Sequence, residues 1–307
     1  LKLDAHVHTF YSGHTSLYPL SLIMKESYNT PDGVYRRAKA RGMDLVAITD
    51  HDTIAGALTI ADRPDVIVGC EVTATFPNDG VRVHLNVIDI SEAQFRDIDR
   101  FRGNITELLP YLRQQRIFTS LNHVASRVNG RITAAHIGAM MPWIDAFEAR
   151  NGSRLLEQNR TATALAEATG KIGIAGSDSH TGRGIGRTWV EAPGARTREE
   201  FMTALRHGRV TIEGRHGHYF TMASDIIRLA SGFYEDEFLA FCRRPLHWRR
   251  HAMILGALVG LPLVAIPLAL AQWHFVMEAQ FNRALLFDLV RRPAGGGRQL
   301  PRPAEAA

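Results

Sequence analysis

The chain has 307 residues, 45% of them hydrophobic, which is enough core for one large α/β domain or two smaller ones. Its formal charge of +5 comes from 36 basic against 31 acidic residues, and the first 220 residues lack the basic clusters with interleaved aromatics of a nucleic-acid groove, so there is no strong nucleic-acid signal. The two cysteines, Cys70 and Cys242, are far apart, which excludes a disulfide framework and a CxxC pair and suits a reducing compartment.

Residues 1–8 read as a short strand on which His6 and His8 share one face. The chain opens on this polar, His-rich segment rather than on a secretory leader. Further short apolar runs, at 43–48, 66–70, 83–88, 117–121, 143–147 and 172–175, read as buried strands. Between them lie helix signals. Residues 19–28 begin with Pro19, 32–41 end at Gly42, 91–101 have Ser91 as N-cap, and 104–116 follow a Gly-Asn break. Residues 153–169 end at Gly170, and 197–207 open on a Thr-Arg-Glu-Glu capping box and close at Gly208. About seven βα units in this order predict a parallel sheet closed, or nearly closed, into a barrel. An open doubly wound sheet is the alternative, but no G-x-G-x-x-G follows the first strand.

After about residue 217 the composition changes. Residues 220–241 are apolar with few breaks. A basic and aromatic run follows, with Arg243, Arg244, Arg249 and Arg250, and then 252–271 carry no charge. Twenty such residues match a bilayer core, and Gly256, Gly260, Pro262 and Pro267 are tolerated in membrane helices. The alternative is a broken hydrophobic hairpin packed on the barrel or on a second subunit. The organisation read from this is a catalytic-type domain over 1–216, an amphipathic and basic linker helix over 217–250, a hydrophobic membrane-associated segment over 251–292 and a disordered tail over 293–307. The arginines before the run place the domain on the cytoplasmic face of a membrane, with lipid contacted through the C-terminal segment.

In a βα barrel, chemistry collects where strands end. Here nearly every strand ends in a metal-type ligand: His6 and His8, then Asp50-His51-Asp52, Glu71, His84, Asn122-His123, Glu148 with Asn151 close behind, and Asp178-Ser179-His180. With His14, in the turn after the first strand, half of the 14 histidines are accounted for. Imidazole and carboxylate donors suit zinc, manganese or iron. Water between two such cations ionises near neutral pH, so no protein nucleophile is required. Asp50 and Asp52 are expected to orient His51, and Asp4 to bond a ligating imidazole. Arg127, Arg183 and Arg187, near the predicted rim, are the candidates for binding an anionic substrate group such as phosphate.

In order along residues 1–215, D-x-H-x-H, T-D-H, a Glu after an apolar strand, H-x-L, a lone His and S-D-x-H resemble the signature of the PHP (polymerase and histidinol phosphatase) metal-dependent phosphoesterases. The resemblance implies a distorted (β/α)7 barrel, here with a C-terminal hydrophobic helical extension, and two or three divalent ions (Zn, Mn or Fe). It implies nine ligands: His6, His8, His14, His51, Glu71, His84, His123, Asp178 and His180. One ion would take His6, His8, Glu71 and Asp178, a second Glu71, His84 and His123, and a third His14, His51 and His180. Glu71, Asp178 and His180 would be the catalytic core. The expected activity is hydrolysis of a small phosphorylated substrate by water or hydroxide activated between the ions. The alternatives are an amidohydrolase-like deacetylase or deaminase, and a non-catalytic metal-stabilised scaffold at the membrane. The short spacing from Glu71 to His84 predicts a hairpin through Pro77-Asn78-Asp79-Gly80.

Overall fold

A computed structural model of the protein describes residues 1–15, 21, 24–243, 252 and 265–291. Among these, nine strands form one sheet: β1 (Lys2–Asp4), β2 (Leu45–Ile48), β3 (Val66–Thr75), β4 (Arg82–Ile88), β5 (Phe118–Leu121), β6 (Ala146–Asn151), β7 (Ile172–Gly176), β8 (Thr188–Glu191) and β9 (Thr211–Gly214). The spatial order is β7-β6-β5-β4-β3-β2-β1-β8-β9. Beyond β1 the chain stays extended. The Ala5 N–H donates to the Ala175 carbonyl at 3.4 Å, the Asp178 N–H to His6 at 2.8 Å and the His8 N–H to Ser179 at 3.2 Å. These bonds join the first strand to the seventh, so seven strands make a nearly closed barrel, with the β8–β9 hairpin attached to β1.

Two features correct the expectation of seven parallel units. The strand β4 runs antiparallel to both β3 and β5. The predicted hairpin is the reason: six residues between β3 and β4 leave no room for a crossover helix, and Gly80 turns there at φ +73°. The strands β8 and β9 were not anticipated; each has four residues and only half of the side chains are buried in β8 and none in β9, too weak a pattern to read. By contrast β2 and β5 are buried at every position, as strands covered on both faces must be.

Helices cover the barrel: α1 (Pro31–Ala40), α2 (Ala55–Leu58), α3 (Glu92–Phe101), α4 (Ile105–Gln114), α5 (Ala134–Met140), α6 (Leu156–Thr169) and α7 (Arg198–Arg206). Their starts follow the capping logic. The Ser91 hydroxyl accepts from the Gln94 N–H while Gln94 returns to the Ser91 N–H, and Thr197 accepts from Glu200. The C-cap Gly170 is left-handed at φ +63°. The helix expected over 19–28 does not continue through its described end. Residues 24–26 are extended and pair with 13–15, through Thr15 N–H to Met24 O at 3.1 Å and Glu26 N–H to Gly13 O at 2.9 Å. The positions 16–20, 22 and 23 lie outside the described residues.

Two long helices follow, α8 (Tyr219–Arg243) and α9 (Ala265–Arg291). Among the described residues no helix is long and apolar enough to cross a membrane. Most of the uncharged run at 252–271 lies outside them, as does the tail expected over 293–307. The helix α9 packs on the barrel through polar anchors. Buried Glu278 accepts from the Ser126 hydroxyl, the Arg127 N–H and the Gln158 amide at 2.7–3.3 Å. Buried Asn282 accepts from the Thr161 hydroxyl, and Leu285 enters the core of β3–β5 and α4–α6.

Candidate metal centre

The barrel mouth gathers ligands because backbone pairing aims them there. Val7 pairs with Ser179 on one side and bonds Thr49 on the other, and its side chain enters the core. The flanking His6 and His8 therefore face the opposite way, both buried. His51 pairs with Glu71 where β2 runs on past its end. Because β4 is antiparallel, His84 at its start reaches the rim where the parallel strands end. Asp178 and His123 sit at positive φ, +49° and +27°, which turns the chain sharply at the ends of β7 and β5.

The Nε2 atoms of His6 and His8 lie 3.0 Å apart. They are 3.2 and 3.3 Å from Glu71 Oε2, and 3.7 and 3.5 Å from Asp178 Oδ1. Donors about 2.1 Å from one ion in a tetrahedron lie roughly 3.4 Å from one another. The observed separations, 3.0–3.7 Å, bracket that edge, and those to Asp178 Oδ1 are long for direct hydrogen bonds. Glu71 Oε2 is fully buried with no hydrogen-bond partner, though His51 Nδ1 also stands 3.2 Å from it. Glu71 Oε1 faces His123 Nε2 at 2.9 Å and His84 Nδ1 at 3.3 Å, and the latter nitrogen is again buried without a hydrogen bond. A carboxylate with two imidazole sets on its two oxygens fits a pair of divalent ions.

Proton positions support the same reading. Ser12 donates its hydroxyl to Asp50 at 2.8 Å, so toward His8 Nδ1, 3.1 Å away, it accepts. His6 Nδ1 lies 2.8 Å from Glu148 Oε1. Each ring thus carries its proton on Nδ1 and turns the Nε2 lone pair inward. Burial works against charge on His6, but Glu71, Glu148 and Asp178 outweigh it and hold its pKa well above the usual value. His51 rises to about 9, with burial opposing and Glu71 and Glu26 prevailing. Burial would raise Glu71, but His6, His51, His84 and His123 hold it well below the carboxylate range. Burial takes His123 down. The pocket is therefore a nest of carboxylates that demands positive charge, which cations would supply in place of protons.

Several expected roles are corrected. His14 is exposed and belongs to none of the groups of ligand atoms in contact. The position expected for it beside His51 and His180 is held by Glu26. Asp50 bonds Thr9 and Ser12, and so supports His8 rather than His51. Asp52 accepts from the Thr73 N–H and pairs with Arg102, away from His51. Asp4 accepts from the backbone of Ser177, Gly186 and His6, and burial lifts its carboxyl to about 6; the imidazole partner is Glu148. Arg127 is exposed, and its N–H is tied to Glu278. Neither Arg183 nor Arg187 bonds a ligand. Among the described residues the guanidinium that does is Arg154, with Nη2 3.1 Å from Asp178 Oδ2 and a buried Nε that has no hydrogen-bond partner.

Comparisons with known proteins agree with this architecture. A family model described as PHP-associated matches residues 157–210. An uncharacterized protein of Methanocaldococcus jannaschii is 34% identical over 80 residues, which is 24% of this chain and 46% of that one, so the chain spans about half the length of this curated relative. A two-domain protein from Bacteroides vulgatus ATCC 8482, containing a predicted PHP-like metal-dependent phosphoesterase, superposes with a TM-score of 0.54 at 17% identity, over 76% of this chain and 69% of that one. PsfC from Pseudomonas syringae PB-5123 gives 0.52 at 16%, over 75% and 98%. At such identities the two structures speak for the fold alone. The barrel, the PHP-associated match over residues 157–210 and the ordered D-x-H-x-H, T-D-H and S-D-x-H motifs together make the chain similar to the PHP proteins.

Proposed function

We propose that the chain is a metal-dependent phosphoesterase that hydrolyses a small phosphorylated substrate at the mouth of the barrel. The observation that carries this reading is Glu71. Its Oε2 is buried without a hydrogen bond, and three imidazole nitrogens, from His6, His8 and His51, stand 3.2–3.3 Å away. Such a set suits Zn, Mn or Fe. Divalent ions bound there would lower the pKa of water and offset charge on the phosphoryl oxygens.

The chain's own residues do the rest. Glu148 and Ser12 hold His6 and His8 in the tautomer that turns Nε2 into the site. Asn151 and Arg154 take Asp178 Oδ2, which leaves Oδ1 facing the histidines. Arg154 has further N–H groups to present to a phosphate. Ser12 stands 3.1 Å from His8 Nδ1, but its hydroxyl donates to Asp50 and accepts from the ring it holds, so attack by water is the economical route. The test is a turnover screen over phosphate monoesters, phosphodiesters and N-acetylated compounds with Mn-, Zn- and Fe-loaded protein. Turnover confined to phosphate esters supports the reading, and turnover confined to acetamides overturns it.

A further inference from the structure

The turn after β5 carries His123 in an uncommon backbone conformation. Its φ of +27° is one that a histidine keeps only where the surroundings hold it. Asn129 holds the inner side of the turn. Its amide donates to the Asn122 carbonyl at 2.9 Å and the His123 carbonyl at 3.3 Å, and its oxygen accepts from the His84 N–H at 2.9 Å. The Ser126 N–H closes the turn on the His123 carbonyl at 2.8 Å. One turn therefore sets both imidazoles that face Glu71 Oε1.

The outer side is held by the C-terminal helix α9. Its buried Glu278 accepts from the Ser126 hydroxyl at 3.2 Å and from the Arg127 N–H at 3.1 Å. Gln158 of α6 bridges helix and turn, donating to Glu278 at 2.7 Å and to the Ala125 carbonyl at 3.1 Å. Ala125, Ser126 and Arg127 are thus tied, directly or through Gln158, to one carboxylate. The same carboxylate acts on Arg154, four residues before Gln158. Burial works against the charge of that guanidinium, but Asp178 and next Glu278 outweigh it and hold its pKa above the usual value. The neighbouring anchor of α9, Asn282, accepts instead from Thr161 on α6, a residue outside the turn.

We propose that Glu278 is a positioning residue for the metal centre, fixing the His123 turn from outside so that the ligand set on Glu71 Oε1 depends on a carboxylate of the C-terminal helix. A ligand held by an outer hydrogen-bonding partner binds its ion more tightly than one left to find its own orientation. The proposal rests on the metal-dependent reading above, and one experiment separates the two.

Metal-free full chain is compared as wild type, Glu278→Gln and Asn282→Ala. Hydrogen–deuterium exchange read by mass spectrometry follows residues 122–130, and calorimetric titration with Mn2+ follows the ions. The expected result for Glu278→Gln is faster exchange over 122–130 and one equivalent of Mn2+ bound about 10-fold more weakly, with the other sites within about twofold of wild type. Asn282→Ala loosens α9 at a residue that does not bond the turn, and is expected to match wild type in both readouts. Circular dichroism checks folding. Gln158→Met, which cuts the bridge from the α6 side, takes the place of Glu278→Gln if that variant does not fold, with the same expected result. Wild type that binds no Mn2+ overturns the metal-dependent reading, and this proposal with it. Wild type that binds Mn2+ while Glu278→Gln keeps the wild-type exchange or isotherm, weakens every site equally, or is matched by Asn282→Ala overturns the role given to Glu278 alone.

Discussion

Glu148, on β6, reaches across the barrel mouth to place its Oε1 2.8 Å from Nδ1 of His6. Its other oxygen accepts from the His123 N–H at 3.0 Å and the Asn151 amide at 2.8 Å. One carboxylate thus sets the tautomer of one ligand and the backbone position of another. Glu148→Gln keeps the shape and removes the charge. Metal affinity is expected to fall about 10- to 100-fold, the usual effect of losing such a partner. Competition against a fluorescent chelator measures it, and an unchanged affinity would show that Glu148 is only packing.

Arg154 separates two views of how phosphate is held. If its guanidinium receives substrate, Arg154→Ala lowers kcat/KM roughly 100-fold, while Arg127→Ala, an exposed position, changes it less than about twofold. Metal content measured on the same samples must stay level. A loss of metal in Arg154→Ala would mean that the arginine acts only through Asp178.

Gly176 marks where β7 meets the first ligand strand. A Cβ there would lie 2.3 Å from His6 Cβ and 2.7 Å from its backbone nitrogen. Gly176→Ala must push the two strands apart, with a cost of about 1–3 kcal/mol in denaturant unfolding. Gly103, with open space around it and an ordinary φ, is the control, and Gly103→Ala is expected to be nearly neutral.

The C-terminal helix α9 offers a test of where the last part of the chain spends its time. Glu278→Ala leaves the Ser126, Arg127 and Gln158 donors facing an apolar side chain, at a cost of about 2–3 kcal/mol. Urea unfolding of the full chain reads this directly. No change would mean that α9 is not docked on the barrel in solution.

Much of the centre was legible in the sequence because the donors are tied to strand ends. His6, His8, Glu71, His84, His123 and Asp178 come together as their spacing in successive strands implied. What was hidden depended on register or on loop shape. Glu26 follows a proline and the apolar Leu20, Leu22 and Ile23, a pattern that reads as a helix with Glu26 on its surface. Only the pairing with 13–15 turns it inward. Arg154 lies in the turn before α6, and no periodicity ties such a residue to a strand end. Asp50 and Asp52 flank His51 in sequence, yet alternation and the positive φ of Asp52 (+52°) send them to Ser12 and Thr73 instead.

The central claim is that the histidine and carboxylate cluster at the barrel mouth holds the ions on which phosphate-ester hydrolysis depends. The most direct measurement is titration of metal-free protein with Mn2+ while metal bound and hydrolysis of an aryl phosphate are followed together, for wild type and Asp178→Asn. The account predicts no turnover without metal, turnover that rises with the equivalents bound, and at least about a 100-fold loss in Asp178→Asn. Equal turnover with and without metal, or full activity in Asp178→Asn, would contradict it.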